Sequence, residues 1–372
     1  MRDAVVYYRT MNFGGWRLFG AIVWVLGFCT WAGAIILHPG HEPAADWAGR
    51  PDNEVVGAWS TNASFCVISP KWIITTRHQN TFPNNNEINI GGNTYKCFYS
   101  PKWVGGPNGN ADIRLIRLKN VDGTEPNLKF AAAYEGTEDE IGKEIVAGGC
   151  GVGWGANVYD YANRPYGYMW GANNKALRWC TNKIEWAEDS NTLSSYTSAI
   201  VRADFDGIGI DGTGFTPYEG MCAMYDSGSG WFVQVGNEWQ LVGITRSVEH
   251  FYDGQNRYNL FANPNSQIEQ NPYLPAQRMD AVRVSTYAGW INSIISEDCG
   301  GIDGDLNGLC SVDMGDFAQL AKKWLATGCT MSNNFCGGAD VNRDAYVNLT
   351  DVYLMCVNWL ESSDNRLVIP VP

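Results

Sequence analysis

The chain has 372 residues, 45% of them hydrophobic, and its 39 acidic against 26 basic side chains give a net charge of −13. This length accommodates two domains with buried cores. The acidic balance argues against a nucleic-acid partner, which would require a basic surface. With 42 glycines, 16 tryptophans and only 17% charged residues, the composition is typical of loop-rich β-structure rather than of charged helices.

The first 34 residues have the pattern of a secretory signal peptide. Arg2, Arg9 and Arg17 precede an apolar run over 18–31, and the small residues Ala32-Gly33-Ala34 follow it. We therefore predict a signal peptide over 1–34 and a secreted protein, extracellular or periplasmic, with cell-surface association left open. Apolar character continues through Ile35-Ile36-Leu37, so an uncleaved membrane anchor is the alternative. After cleavage no membrane span is expected.

Cysteine usage favours an oxidising compartment. Loss of Cys29 with the signal peptide reduces the 11 cysteines to an even number. No Cys-x-x-Cys pair occurs, which disfavours thiolate metal sites. We predict a partly disulfide-bonded protein whose pairings stay open, with a local bond between Cys329 and Cys336 as one candidate.

The segment 35–54 is rich in Pro, Ala, Asp and Gly and is predicted to be a linker. From 55 to 297, short apolar runs alternate with Gly and Pro turns, which predicts a mainly β domain that ends in a short helix. Its clearest element is a hairpin of Phe65–Ile68 and Trp72–Thr76, which runs into His78. A second strand, Ile113–Leu118, begins beside Asp112.

Two segments of this domain are predicted to be loops. Residues 157–174 contain four tyrosines and Trp170 among Asn and Gly, and an aromatic platform for sugar or peptide is the alternative to a long irregular loop. The Gly-rich segment 206–214 is predicted to be a surface loop, because no strand–helix unit surrounds it.

A candidate nucleophile lies in the stretch 221–230, where Ser227 stands between Asp226 and Gly228 before an apolar strand. A serine on such a turn presents its hydroxyl while neighbouring N–H groups face a developing oxyanion, although these residues are also common in plain turns. Of the four histidines, His78 is the best candidate base because a strand holds it, and Asp112 can orient it.

Three of these segments resemble, in order, the signature segments of the chymotrypsin/trypsin-like serine proteases: Trp72–His78, Asn110–Leu118 and Asp226–Gly230. Gln240–Ile244 resembles the strand that lines the substrate cleft in that family, and Arg283–Ile291 resembles its closing helix. The resemblance implies a chymotrypsin-like double β-barrel and a serine endopeptidase that hydrolyses proteins or peptides through an acyl-enzyme without a cofactor. It assigns His78 as base, Asp112 as its orienter, Ser227 as nucleophile, and the backbone N–H groups of Tyr225 and Ser227 as the oxyanion hole.

The resemblance also implies a specificity pocket. Met221, six residues before Ser227, would form its base, which gives no support for a Lys or Arg preference and suggests a medium apolar side chain. Arg246 near the cleft strand would instead favour an acidic side chain. Tyr225 replaces the glycine usual in the family, so a catalytically silent binding or scaffold protein of this fold stays open, as does a serine esterase.

The family's activation step has a faint counterpart. Val55-Val56-Gly57-Ala58 resembles the N-terminus that zymogen cleavage releases to pair with the acid before the nucleophile. It lies only 23 residues before His78, so Asp226 is expected to be satisfied locally instead.

A C-terminal module is predicted over 298–362, followed by a tail over 363–372. Two loops that each enter a Leu- or Trp-containing helix repeat at a spacing of 35 residues, one over 305–316 and the other over 340–351. Oxygen side chains at alternating positions of such loops suit Ca²⁺. Asp/Asn turns without metal are the alternative.

These repeats resemble a type I dockerin, which implies a calcium-binding module that docks onto a cohesin-like partner. The resemblance assigns the second-loop ligands Asp340, Asn342, Asp344, Tyr346 (backbone), Asn348 and Asp351. In the first loop it assigns Asp305, Asn307, Asp313 and Asp316, and Leu309 stands at a ligand position, which predicts a weaker site.

Overall fold

The computed structural model of the protein describes residues 35–60, 62–79, 82–99, 110–136, 139–159, 163, 165–173, 175–207, 215–252, 254–261, 276–298, 302–306, 311–330 and 333–360. The predicted signal peptide, the predicted tail and Asn307 lie outside them. The fold is mainly β. None of the described helices combines the length and apolar character needed to cross a membrane.

One sheet has six strands in the order β2-β3-β4-β7-β6-β5. Their bounds are β2 Val56–Ala58, β3 Ser64–Ser69, β4 Trp72–Thr75, β5 Glu87–Ile90, β6 Asn93–Tyr99 and β7 Arg114–Asn120. The predicted hairpin is therefore present as β3 and β4. Both are buried throughout, because Phe65 and Ile73 pack into one core cluster while Cys66 and Ile74 pack into another on the opposite face.

A larger sheet follows the order β12-β9-β16-β17-β20-β14-β13, with β8 beside β17. Its strands are β8 Ala132–Ala133, β9 Glu144–Gly149, β12 Arg178–Lys183, β13 Trp186–Leu193, β14 Tyr196–Asp204, β16 Gly230–Val235, β17 Glu238–Val248 and β20 Arg278–Arg283. Phe232, Leu241 and Val282 from this sheet share one buried cluster with Ile74 and Leu115 of the six-stranded sheet. The two sheets therefore pack against a common core.

A four-stranded sheet replaces the irregular loop expected over 157–174. β10 Val152–Tyr159, β11 Pro165–Asn173, β19 Arg257–Leu260 and β18 Phe251–Tyr252 pair in that order. The Tyr168 side chain in β11 is buried, with 2% exposure. Aromatic residues favour a strand when one face of it is buried in this way.

The segment predicted to be a linker is partly built into the body. β1 Ile36–Leu37 pairs antiparallel with β15 Gly220–Met221, and Ile35 to His38 are buried. The apolar run Ile35-Ile36-Leu37 therefore serves as core. Short 3₁₀ turns cover Asn53–Val55, Asn84–Asn86 and Val284–Tyr287.

The C-terminal part of the described chain contains four helices: α1 Ala288–Asp298, α2 Met314–Lys322, α3 Asn334–Gly337 and α4 Leu349–Val357. α1 is the predicted short helix. The segment after it has its own buried cluster, which includes Val312, Leu320, Val347 and Met355. Cys329 and Cys336 are bonded, as the sequence suggested, and this is the one disulfide among the described cysteines.

Candidate active site

Strand pairing brings His78 beside Asp112. Thr75 ends β4 and pairs with Arg114, the first residue of β7, so the residues after β4 lie next to those before β7. The Asp112 carboxylate is buried and accepts two hydrogen bonds from His78: backbone N–H to Oδ1 at 2.7 Å and Nδ1 to Oδ2 at 2.6 Å. Because an ionised carboxylate only accepts, Nδ1 carries the hydrogen and Nε2 keeps its lone pair. An imidazole held in this way can accept a proton at Nε2.

Ser227 lies on a tight turn that is anchored to the same end of β4. Its carbonyl accepts the Ser64 N–H at 2.8 Å. The next residue, Gly228, has a φ of 88°, and a Cβ there would lie 2.2 Å from both the Ser64 carbonyl oxygen and Thr75 Oγ1. Only glycine fits this contact. The turn can therefore approach β4 closely enough to hold Ser227 near the residues that follow the strand.

Two backbone donors of this turn have no acceptor among the described residues. Neither the Tyr225 N–H nor the Ser227 N–H donates to any group in the part of the chain that the structure describes. The Tyr225 carbonyl is fixed by Ser64 Oγ at 3.3 Å, and Tyr225 has a φ of 77°, a conformation in which glycine is favoured. Tyr225 therefore adopts the backbone conformation of the glycine that is usual in the resembling family. The N–H groups of Tyr225 and Ser227, which donate to no described group, can bind an oxyanion.

Asp226 is buried beneath this turn. Its carboxylate accepts the N–H of Gly151 at 2.7 Å and of Ala223 at 2.9 Å, and the N–H groups of Ile35 and Cys150 also face it and lower its pKa. Burial outweighs these bonds and raises the pKa of Asp226 to about 7. The acid is thus satisfied by backbone N–H groups, of which that of Ala223 is local and those of Ile35, Cys150 and Gly151 come from distant segments.

The neighbours of Asp226 include Ile35 and not the segment that begins at Val55. Val56 to Ala58 instead pair with β3 as strand β2. Val55 itself belongs to a 3₁₀ turn and donates its N–H to Asp52. The faint resemblance of 55–58 to an activation N-terminus therefore has no counterpart in the fold.

A cavity of about 420 Å³ opens beside Ser227. Gln79, next to His78, contributes to its wall, as do Tyr225 and Ser227. The His78 and Ser227 side chains are both half-buried. No hydrogen bond joins His78 Nε2 to Ser227 Oγ in the described structure. The His78–Asp112 pair is therefore formed, and the residue that follows His78 lines the same cavity as Ser227.

The structure places the two predicted pocket residues away from this cavity. Met221 is fully buried in β15, where its sulfur accepts from Asn259 Nδ2 at 3.2 Å. Arg246 is buried in β17 and donates to Asn191 Oδ1 at 3.0 Å. Neither residue is among those that line the cavity of about 420 Å³. Their role in a specificity pocket stays a prediction.

Two residues that sequence reasoning did not select line the cavity instead, His250 and Arg257. His250 packs on the Trp170 ring at 4.9 Å between centroids. The only sequence signal was that both lie between the cleft strand and the closing helix, in a stretch of polar and aromatic residues.

Another buried histidine has a structural role. His38 bonds Tyr168 through Nδ1 at 2.6 Å and the Asp206 carbonyl through Nε2 at 2.7 Å, and its ring stacks on Phe205. Burial lowers the pKa of His38 to about 4, so it is neutral at physiological pH.

The second C-terminal loop folds around its own acids. Asp340 is buried and accepts the N–H groups of Asp344 at 3.0 Å and Ala345 at 2.9 Å. Asp351 is also buried and accepts from the N–H of Asn342 and Asn348. The Tyr346 N–H donates to Asp344 at 3.0 Å. All five side-chain candidates and the Tyr346 backbone therefore occur in one compact loop.

The first loop repeats part of this arrangement. Asp313 caps α2 as Asn348 caps α4, and Asp316 closes the same capping box as Asp351. Asp316 is buried and accepts from Leu306 N at 2.7 Å, while Asp305 precedes that residue in the chain.

A different acidic group was missed by the sequence reasoning. Glu185, Asp204 and Asp206 place one carboxylate oxygen each within 4.8 Å of the others, the single such trio of Asp, Glu, His or Cys in the described chain. Burial raises the pKa of Asp204 to about 7 and of Asp206 to about 6. Three carboxylates at this spacing can hold a divalent cation. The alternation of Asp204 and Asp206 was the available signal.

The comparisons with known proteins add no family assignment. No protein-family model matches this chain, and no curated protein matches it.

Proposed function

We propose that the chain is an exported serine endopeptidase with a chymotrypsin-like double barrel. The observation that carries this proposal is the His78–Asp112 pair, with Nε2 free, at the same end of β4 as Ser227. Two unpaired N–H groups lie on the Ser227 turn beside a cavity of substrate size. A base, an alcohol, oxyanion donors and a binding space are the parts that acyl transfer requires.

In the proposed reaction, Ser227 Oγ attacks the carbonyl carbon of a peptide bond while His78 Nε2 takes the hydroxyl proton. The carbonyl oxygen becomes an oxyanion and is bound by the N–H groups of Tyr225 and Ser227. The C–N bond then breaks, and His78 gives its proton to the leaving amine. Water repeats the sequence on the acyl-enzyme and restores Ser227. Asp112 holds the imidazole and stabilises its charged form.

A fluorophosphonate probe tests the proposal on the full chain. Wild type should be labelled at Ser227, and labelling should be abolished in Ser227→Ala and lost in His78→Ala. Ser293→Ala, on the exposed side of α1, is the matched control and should label like wild type. Labelling of Ser227→Ala equal to that of wild type would overturn the proposal.

A catalytically silent binding protein is the second candidate. The missing hydrogen bond between His78 and Ser227, together with the non-glycine residue Tyr225, favours it. Stoichiometric labelling combined with cleavage of a peptide amide would exclude this candidate. Hydrolysis of ester substrates with no cleavage of peptide amides would instead indicate a serine esterase.

For the C-terminal segment we propose a dockerin-like, calcium-binding module that docks onto a cohesin-like partner. The buried carboxylates of Asp316, Asp340 and Asp351 support it, because buried acids are costly unless a cation or hydrogen bonds compensate them. The Cys329–Cys336 bond closes the connection between the two loops.

Calorimetry with Ca²⁺ on the full chain tests this second proposal. Asp340→Asn should remove one binding event, whereas Asp46→Asn, an exposed acid elsewhere, should remove none. Glu185→Gln separates any contribution from the acidic trio. Calcium binding that is absent in wild type, or unchanged in Asp340→Asn, would overturn it.

A further inference from the structure

Arg257 is the distinctive charge of the cavity beside Ser227. It begins β19 and projects among residues that are otherwise neutral polar or apolar at neutral pH. None of the described lining residues is an aspartate or glutamate. In a chain of net charge −13, a substrate-sized cavity whose fixed charge is a guanidinium stands apart from the general surface.

The guanidinium of Arg257 is held in place by aromatic rings. It lies 5.8 Å from the centroid of Trp170 and 5.6 Å from that of Tyr252. Cation–π contact of this kind fixes the plane of the group and leaves its N–H edge available. Arg257 is half-buried, so part of its hydration is already lost.

No carboxylate of the described chain neutralises this cation. Its only hydrogen bond there runs from Nη1 to the sulfur of Met224 at 3.4 Å, and a thioether is a weak acceptor. Among the described acids, the nearest in sequence is Glu249, which pairs with Arg278 at 3.3 Å instead, while Asp253 lies outside the described residues. Arg257 therefore retains most of its five donors for a ligand.

The other side chains of the cavity suit the stem of an acidic residue. Trp170, Ala223, Met224 and Val248 contribute apolar wall, and aliphatic carbons of a substrate side chain can pack on them. Burial lowers the pKa of His250, and the charge of Arg257 adds to this effect, while a hydrogen bond to the Val248 carbonyl opposes it. Nδ1 of His250 donates to the Val248 carbonyl at 3.5 Å, so the neutral ring presents Nε2 as an acceptor and adds no second fixed charge.

We infer that Arg257 makes this cavity a recognition site for a substrate carboxylate, so that cleavage occurs next to a glutamate or aspartate side chain. This inference rests on the proposed endopeptidase function of Ser227. The carboxylate would accept two parallel N–H bonds from the guanidinium, which no carboxylate of the described residues contacts. A Lys or Arg side chain would bring a like charge and be rejected.

The test uses the full chain and blocked peptide amides that differ only at the residue on the acyl side of the scissile bond: Glu, Asp, Gln, Leu or Lys. We expect kcat/KM for the better acidic residue to exceed that for Gln by about 10- to 100-fold, the discrimination typical of a charged hydrogen-bonded partner. A peptide that offers only a free C-terminal carboxylate distinguishes a carboxypeptidase, in which that carboxylate is the ligand.

Variants of Arg257 provide the decisive comparison. Arg257→Gln should bring the Glu/Gln ratio to about 1, and Arg257→Lys, which keeps the charge without the planar fork, should give an intermediate ratio. Arg257→Glu should shift preference to Lys. Arg278→Gln, an arginine on the neighbouring strand β20 outside the cavity, is the matched control and should keep the wild-type ratio.

The outcomes separate this inference from the proposed function. If wild type is labelled at Ser227 and cleaves peptides without an acidic preference, or if Arg257→Gln keeps that preference, the inference is wrong while the endopeptidase stands. If wild type neither labels nor cleaves, both fall. Thermal unfolding of each variant checks that it is folded, and the Lys variant supplies the comparison if the Gln variant is not.

Discussion

Cleavage after Ala34 is expected to stabilise the folded chain near neutral pH through Asp226. In the uncleaved chain, this carboxylate faces backbone N–H groups, and burial raises its pKa from 3.8 to about 7. Because the folded-state pKa lies above the unfolded-state value, the stability from Asp226 is fully present below about pH 4 and is lost as pH rises through 7. The difference between the two pKa values corresponds to about 4 kcal/mol of unfolding free energy.

Cleavage changes the group beside the carboxylate. The Ile35 N–H, which faces Asp226, becomes part of an α-ammonium group. A positive charge there favours the ionised carboxylate and opposes the rise in its pKa. We expect a recovery of about 1 to 4 kcal/mol at pH 7, where the upper value is the whole loss and the lower reflects desolvation of the ammonium. The stability that the ammonium restores is then lost only above about pH 8, where the α-amino group deprotonates.

Urea unfolding between pH 4 and 9 measures this effect. It compares a chain that begins at Ile35 with the same chain extended by Ala32-Gly33-Ala34. Asp204, Asp206 and Glu219 also have pKa values raised by burial, but they contribute equally to both chains. The chain that begins at Ile35 should be more stable at pH 7, and the difference should shrink towards pH 4. Curves that stay parallel, or the same difference in Asp226→Asn, would refute the reasoning.

Three further outcomes test the turn and its base. Gly228→Ala should lower the free energy of unfolding, measured by chemical denaturation, by about 3 kcal/mol, because the new Cβ would overlap the Ser64 carbonyl. Gly254→Ala is the control. Gly254 has a φ of 96° and open space around it, so its substitution should cost about 1 kcal/mol. Tyr225→Gly should change the free energy of unfolding by less than about 1 kcal/mol, since relief of the left-handed φ offsets the backbone entropy of glycine. The variant should keep fluorophosphonate labelling. A decrease in the labelling rate of more than about tenfold would assign a role to the Tyr225 side chain. Asp112→Asn should slow acylation about a thousandfold or more in stopped-flow measurements, and an unchanged rate would remove Asp112 from the mechanism.

Local patterns were sufficient for the core of the candidate site. The β-branched runs around Pro70 predicted β3 and β4, and the alternation after Asp112 predicted β7. Once these strands pair antiparallel, His78 and Asp112 must lie at the same edge. The position of His78 after β4 and of Asp112 before β7 was therefore sufficient to predict that the two residues lie close together.

The rest depended on pairing between distant segments. Ile35-Ile36-Leu37 read as the end of an export segment, but its partner strand lies at Gly220–Met221, and no local pattern announces such a pairing. Arg257 follows a polar stretch in the sequence, and only the pairing of β19 with β11 brings it beside Trp170. The burial of Met221 and Arg246 could likewise not be predicted from local pattern, because it depends on strands that are distant in sequence.

Tyr225 links the local cost of the turn to its chemistry. A non-glycine residue at a φ of 77° costs about 1 kcal/mol or more, and leaving backbone donors without acceptors adds to that cost. The surrounding structure enforces both: Val152 N–H holds the Met224 carbonyl at 2.9 Å, and Ser64 Oγ holds the Tyr225 carbonyl. A surface that only binds a partner does not require a strained φ at Tyr225 or unpaired N–H groups. Stabilisation of an oxyanion, by contrast, requires N–H donors that are fixed before the oxyanion forms. The Tyr225 backbone therefore favours the endopeptidase over the silent scaffold, even though its side chain first suggested the reverse.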